Sequence, residues 1–256
     1  MAEFFDRSPE KVPRVGVDGP CPYPVAKLVD EWLIAAERLR NDKRWHHAKV
    51  AKRTSGITVR CLPVDGGSGL MWWRTEFSLR GVRAQDIDAA FQPENRTWDQ
   101  NPSSHLCRWE SQGSATYSIQ SQITAPALGG LILGRSFVNL CSSTSRVASD
   151  GSVSMTSLSV AAPASLSCHY PPSVATWLRL SAAEGLLLAA NLPGSSCTST
   201  EEMLADGSRV VQFCLIAGTE IGGSLPLFLV NNATADALAA LVLALTRSMP
   251  AASLVV

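Results

Sequence analysis

The last long element of this chain is the hardest to place. From about Pro226 to Met249 the sequence reads as one helix whose charges are Asp236 and Arg247 alone. Pro226 suits a helix start, and Pro250 ends it because a proline cannot continue the hydrogen-bond ladder. Leu229, Ala233, Ala237, Ala240, Leu241 and Ala244 share one face of small residues and leucines. A helix that is apolar nearly all round must be buried on most sides, so the rest of the chain has to wrap it. It is too broken for a membrane span. Its longest apolar stretch, Ala233–Leu245, is interrupted by Thr234 and Asp236 and falls short of the ~20 residues a span needs.

The wrapping elements are mostly strands. Pro9, Pro13, Pro20, Pro22 and Pro24 make residues 1–24 an extended arm. Val25, Leu28, Val29, Trp32, Ala35, Ala36 and Leu39 then fall at three-and-four spacing, which predicts a one-sided helix to about Arg44. Ile57, Val59 and Cys61 alternate with polar residues, Asp65–Gly69 is a turn, and Met71 to Leu79 alternates strictly. That pattern predicts a hairpin with one wet face. A short helix is expected over Ala84–Phe91. Strand-like runs follow at 103–110, 114–123, 135–142, 152–160, 174–181, 185–190 and 209–219, which with the hairpin makes nine strands. Short links between consecutive strands imply an antiparallel sheet. The expected class is therefore α+β, in three parts. They are the arm 1–24, a folded region 25–249, and an apolar tail 250–256.

Charge narrows the function. The chain is 17% charged with zero formal net charge, against about 25% charged for ordinary soluble domains. Of its 44 charged side chains, 32 lie in residues 1–110 and 12 in residues 111–256. Zero net charge argues against a general nucleic-acid binder. The low charge and high apolar content argue against disorder. The N-terminus has no apolar run of signal-peptide length, so an intracellular protein is expected, cytoplasmic or organelle-associated and not secreted. Seven scattered cysteines without a CxxC pair fit reduced thiols better than a disulfide framework or zinc knuckle.

The order helix, hairpin, helix, strand meander and long closing helix resembles the steroidogenic acute regulatory-related lipid transfer (START) domain, a helix-grip architecture. Four stretches carry the resemblance. They are Trp98-Asp99-Gln100-Asn101, Gly129 to Val138 around Arg135, Trp177-Leu178-Arg179-Leu180, and Leu225-Pro226 through Asn231-Asn232 to Arg247. The resemblance implies a curved nine-stranded antiparallel sheet wrapped around the C-terminal helix, with a tunnel for one lipid and the helix as lid. Two departures stand out. Leu133-Gly134-Arg135-Ser136 lacks the Pro and Asp that often flank that arginine in the family. The strand before it, Ser114 to Gln120, lacks the acid that pairs with it in sterol- and carotenoid-type members. A buried unpaired guanidinium is costly, so Arg135 must reach solvent, carbonyls, Gln120 or Gln122, or a ligand's polar end.

The candidate ligand-binding residues are Arg135, Trp98, Phe137, Trp177, Phe213, Leu229, Asn232 and Ala233. Arg135 would hold a polar group through its fixed fork of donors. Trp98 and Trp177 would wall the tunnel or pack in the core. Phe137, Phe213, Leu229 and Ala233 belong to core or tunnel. Asn231 and Asn232 would bond ligand or backbone. No metal, and no cofactor beyond a bound lipid, sterol or carotenoid, is expected. His46 and His47 are adjacent, with no third ligand nearby in sequence. The basic run from Arg38 to Arg60 would touch anionic membrane or be a solvated face.

GxSxG, a phosphate-cradling glycine loop and a close carboxylate pair are all missing, so no enzyme activity is expected. The leading expectation is a lipid-binding or transfer protein with a hydrophobic small molecule as partner. The alternative is a START-like fold reused as an accessory subunit of a larger complex, docking partner proteins through the N-terminal arm and the C-terminal tail. A helix-grip enzyme stands third.

Overall fold

In the computed structural model the described residues are 17–48, 55–96, 98, 103–124, 134–172, 174, 187–221 and 226–255. The elements in chain order begin with β1 (Val17–Pro20), α1 (Tyr23–Arg40), β2 (His46–His47), β3 (Ile57–Pro63), β4 (Met71–Arg80) and α2 (Ala84–Phe91). Next come β5 (Ser103–Glu110), β6 (Ala115–Ile123), β7 (Arg135–Val147), β8 (Val153–Ala161), β9 (Leu187–Leu188) and β10 (Ala190–Asn191). The last are β11 (Ser196–Met203), β12 (Arg209–Glu220), α3 (Leu227–Ser248) and β13 (Ser253–Leu254).

The strands form one sheet in the order β1-β5-β6-β7-β8-β11-β12-β4-β3-β2, with the short β9, β10 and β13 attached to β7, β12 and β4. The long strands β3–β8, β11 and β12 pair antiparallel throughout. Parallel pairing enters with β1 on β5 and β9 on β7. This is the α+β helix-grip architecture, with thirteen strands among the described residues.

Several details depart from the sequence expectations. β11 was not expected. Its sequence, SCTSTEEM, puts small hydroxyls at sites that are buried in the sheet (Ser196, Thr198, Ser199), so it shows no apolar alternation. The end of the expected arm, 17–20, is a strand, and α1 starts at Tyr23 with a proline inside its first turn. The expected strand 174–181 lies outside the described residues apart from Val174, which sits in a helical turn. The expected tail strand-pairs with β4 at Arg80 and Leu79, and Val255 N–H donates to Ser78 O at 2.9 Å.

The ladders carry one face across the sheet. Gln120 faces Asn139, Ser118 faces Cys141, Ser157 faces Cys197, Leu215 faces Thr75 and Phe213 faces Phe77. α1 covers the opposite face of β5–β8. Its buried Val25, Val29, Trp32 and Ala36 pack with Leu106, Ile119, Leu140 and Val160. The last turn of α1 holds Arg38 and Arg40, which suit the negative end of its dipole.

α3 lies on the inner face, but on one half of it. Val242 and Leu245 pack with Phe77, Leu79, Ile87, Val211 and Phe213. Ala235 and Leu238 pack with Val59, Cys61 and Trp73. The helix is therefore gripped along a stripe and not on most sides as expected, since Ala237 and Ala240 are exposed. Alanine tolerates this, because it has little apolar area to hide and the best helix propensity. Among the described residues no helix is long and apolar enough to cross a membrane.

Candidate ligand cavity

The half of the inner face that α3 leaves uncovered borders a cavity of about 190 Å³. β6 lines it with Thr116, Ser118, Gln120 and Gln122, which share one face because strand side chains alternate. β7 adds Cys141 and Ser143, and β8 adds Ser157 and Ser159. Leu215, Ala217 and Leu241 give an apolar side, and Asp88, Phe91 and Arg96 close the space from α2 and just beyond it. The charge-poor half of the chain is therefore not simply apolar. Much of its inner surface is polar without being charged.

Asp88 anchors this wall. Its Oδ1 accepts hydrogen bonds from Ser143 Oγ at 2.9 Å and Ser157 Oγ at 2.5 Å, and the two hydroxyl oxygens are 3.1 Å apart. One carboxylate oxygen thus ties α2 to two neighbouring strands. Gln120 Nε2 donates to Ser118 Oγ at 3.1 Å along β6. At the N-terminus of α2, the buried Glu201 accepts from Ala84 N–H at 3.1 Å and pairs with Arg209 at 3.2 Å.

Burial holds the two cysteines in the wall as neutral thiols. Burial pushes the Cys141 thiol up to about 11, against a smaller lowering by its contact with Ser159. Burial likewise pushes Cys197 up to about 12 and Cys21 up to about 12. A neutral thiol reacts poorly, because the thiolate is the reactive form. At pH 8 a thiol-directed alkylating reagent should label Cys168, the exposed cysteine, well before the others, with the rest reacting after denaturation. Rapid native labelling of Cys141 or Cys197 would contradict this. A thiol that is harder to ionise folded than unfolded stabilises the fold while both states keep the proton. That contribution is intact below about pH 9 and is lost as pH climbs toward about 12.

The candidate residues fall in different places. Arg135 opens β7, buried but outside the cavity wall, and its Nε–H donates to Ile221 O at 2.9 Å. Its backbone N–H donates to Thr124 Oγ1 at 2.9 Å. It thus takes a carbonyl, one of the partners expected for it. Phe137 is buried two residues along β7, opposite Gln122. Phe213 is buried between Phe77, at 4.6 Å between ring centroids, and Phe91, stacked at 5.8 Å. Trp98 meets Phe91 edge-on at 5.4 Å and its Nε1–H donates to Ala90 O at 2.9 Å. Trp98 and Phe213 therefore flank the aromatic residue that does line the cavity. Leu229, Asn232 and the half-buried Ala233 lie in the first two turns of α3, and Trp177 lies outside the described residues.

Sequence reasoning missed the polar wall and Asp88. Thr116, Ser118, Gln120 and Gln122 are visible as a period-two row, but such a row ordinarily marks a water-facing strand. The basic run is also altered. Arg40 pairs with Glu37 at 2.8 Å, Arg44 with Asp42 at 2.8 Å and Asp65 at 3.1 Å, and Arg60 with Glu76 at 2.9 Å. These pairs lace the described part of the patch with acid. His46 Nε2 lies 3.2 Å from Cys61 Sγ, and no group of three or more metal-ligating side chains gathers among the described residues.

The fold has solved counterparts. The structure is similar to human StAR-related lipid transfer protein 5, with a TM-score of 0.63 and 18% identity over 89% of this chain and 97% of that one. It is also similar to human STARD10, with a TM-score of 0.55 and 15% identity over 93% and 81% of the two chains. The human StarD13 (DLC2) lipid transfer and protein localization domain gives a TM-score of 0.51 and 16% identity over 89% and 96%. At these identities the likeness establishes the fold: the chain has the START helix-grip fold. No protein-family model matches the sequence, and no curated protein matches it.

Proposed function

We propose that the protein is a non-enzymatic lipid carrier that holds one amphipathic ligand between the sheet and α3. The cavity beside α3 carries this reading, since that is where a helix-grip fold has space for a ligand. Its polar wall would take the ligand's hydrogen-bonding part, and Leu215, Ala217 and Leu241 would take an apolar part. Burial of apolar area would drive uptake at roughly 25 cal/mol per Å². Sterol, carotenoid and other lipids are the ligand classes in view, and the working compartment would be intracellular. Trp98, Phe137, Phe213, Leu229, Asn232 and Ala233 would shape the surroundings of the site.

Exposed Leu227 and Phe228 at the start of α3 would meet a donor membrane transiently as the helix shifts. Among the described residues, β1 and the tail are paired within the chain's own sheet, so neither supports the accessory-subunit alternative.

Native mass spectrometry tests the proposal. Protein incubated with a total lipid extract and repurified should carry one stoichiometric lipid. A folded protein that emerges without added mass would sink the carrier function. In the same assay, an Arg135→Ala variant that folds and keeps full occupancy would remove Arg135 from ligand anchoring.

A further inference from the structure

The cavity's size and the chemistry of its wall narrow the ligand. This step rests on the carrier function and goes beyond it. A hollow of ~150 Å³ accepts a benzene ring, so about 190 Å³ accommodates one six-membered ring, with the remainder of a lipid lying outside it. The wall around that ring is rich in groups that both donate and accept: the hydroxyls of Thr116, Ser118, Ser143, Ser157 and Ser159, and the amides of Gln92, Gln120, Gln122 and Asn191.

Charge at the wall is balanced. Asp88 and Arg96 both contribute to it. A phosphate head, with several oxygens carrying full negative charge, calls for a cluster of cationic or N–H donors, and here a carboxylate faces the same space. An apolar ring fails for the opposite reason, since it would leave wall groups without the hydrogen bonds they make in water. A neutral ring bearing several hydroxyls matches both size and chemistry. It also brings the donors that a carboxylate needs. Both hydroxyls that bond Asp88 among the described residues donate to Oδ1.

We infer that the cavity is a headgroup pocket for a neutral monohexosyl unit, and that the ligand is a glycolipid with one sugar. The sugar hydroxyls bond the β6–β8 wall and Asp88, and the acyl chains leave along Leu215, Ala217 and Leu241.

The test offers the full chain phosphatidylcholine vesicles containing equal amounts of dioleoylglycerol and monogalactosyl dioleoylglycerol. These two lipids share their chains and differ in the sugar. The lipid bound to repurified protein is then extracted and weighed by mass spectrometry. The galactosyl lipid should be enriched about tenfold over dioleoylglycerol, the ratio expected from two ordinary hydrogen bonds. Asp88→Asn and Gln120→Leu should each lower that enrichment several-fold while total lipid uptake persists. Should a variant misfold, the wild-type ratio still decides. Equal uptake of the two lipids, or a preference for phosphatidylcholine, overturns the sugar pocket and leaves the carrier function standing. No uptake of any lipid by folded protein overturns both. Saturable binding of methyl galactoside without lipid uptake would assign the pocket to a free sugar and overturn the glycolipid.

Discussion

Truncating Leu245 to alanine should lower the free energy of unfolding by about 2–5 kcal/mol, the range for emptying a fully buried leucine site. Leu245 is 0% exposed and sits where α3, α2 and the sheet meet, with Val242, Ile87, Leu79 and Phe213 in the same cluster. Alanine has the better helix propensity, so the backbone of α3 gains slightly and the net loss is a lower bound on the packing lost. Urea unfolding should show a lower midpoint at unchanged slope. Phe228→Ala in the same helix is the control, since Phe228 is 65% exposed and exposed sites usually move stability by less than about 0.5 kcal/mol. A Leu245→Ala loss no larger than that of the control would mean that α3 is not clamped as described.

Gly81→Ala should be nearly as damaging, through the backbone. Gly81 has φ +81°, and a Cβ added there would lie 2.0 Å from the carbonyl oxygen of Ala251. The left-handed conformation costs an L-residue about 1–2 kcal/mol, and overpacking adds about 1–3 kcal/mol. The cheaper escape is for the tail to leave the sheet. Amide exchange at Val255, bonded to Ser78 O in the native protein, should accelerate strongly, with a total stability loss of about 2–4 kcal/mol. Gly67→Ala separates the two causes. Gly67 also has a left-handed φ, +69°, but open space around its Cβ position, so it should lose the conformational part alone. Equal losses at Gly67 and Gly81 would show that the Ala251 contact does not matter.

These two sites differ in how plainly the sequence announces them. α2 was readable to the residue, because Asp86 near its start and Pro93 beyond its end bracket it. α3 was readable from its two prolines, but the face it buries was not. Ala235, Leu238, Ala239, Val242 and Leu245 form the buried stripe, and in a helix so uniformly apolar no polar face marks the opposite side. The hairpin β3–β4 declared itself by alternation against Arg60, Arg74 and Glu76. β11 stayed hidden because its neighbours in the sheet accept Ser and Thr where a core strand usually has Val or Ile. The cavity was hidden for the same reason. Polar alternation says which residues share a strand face, and not whether water or a ligand lies against it. Asp88 looked like a helix-surface acid until the fold laid Ser143 and Ser157 beside it. That contact joins residues far apart in the chain, and no local pattern encodes it.

The sheet order carries a consequence for how the chain assembles. β3 and β4 form a hairpin early in the sequence, but β4 finds its other long neighbour in β12, and Phe77 waits for Phe213. The cover for Trp73 and Leu79 comes later still, from α3 and then β13. During synthesis that hairpin must stand with its apolar face and one edge open until β12 and α3 have emerged. Pairings so distant in sequence close slowly, and an open edge is a site for pairing with other chains. The fold therefore depends on α3 and β13 to hide a surface made by β3 and β4, and the interval between them is when the chain is most exposed to aggregation.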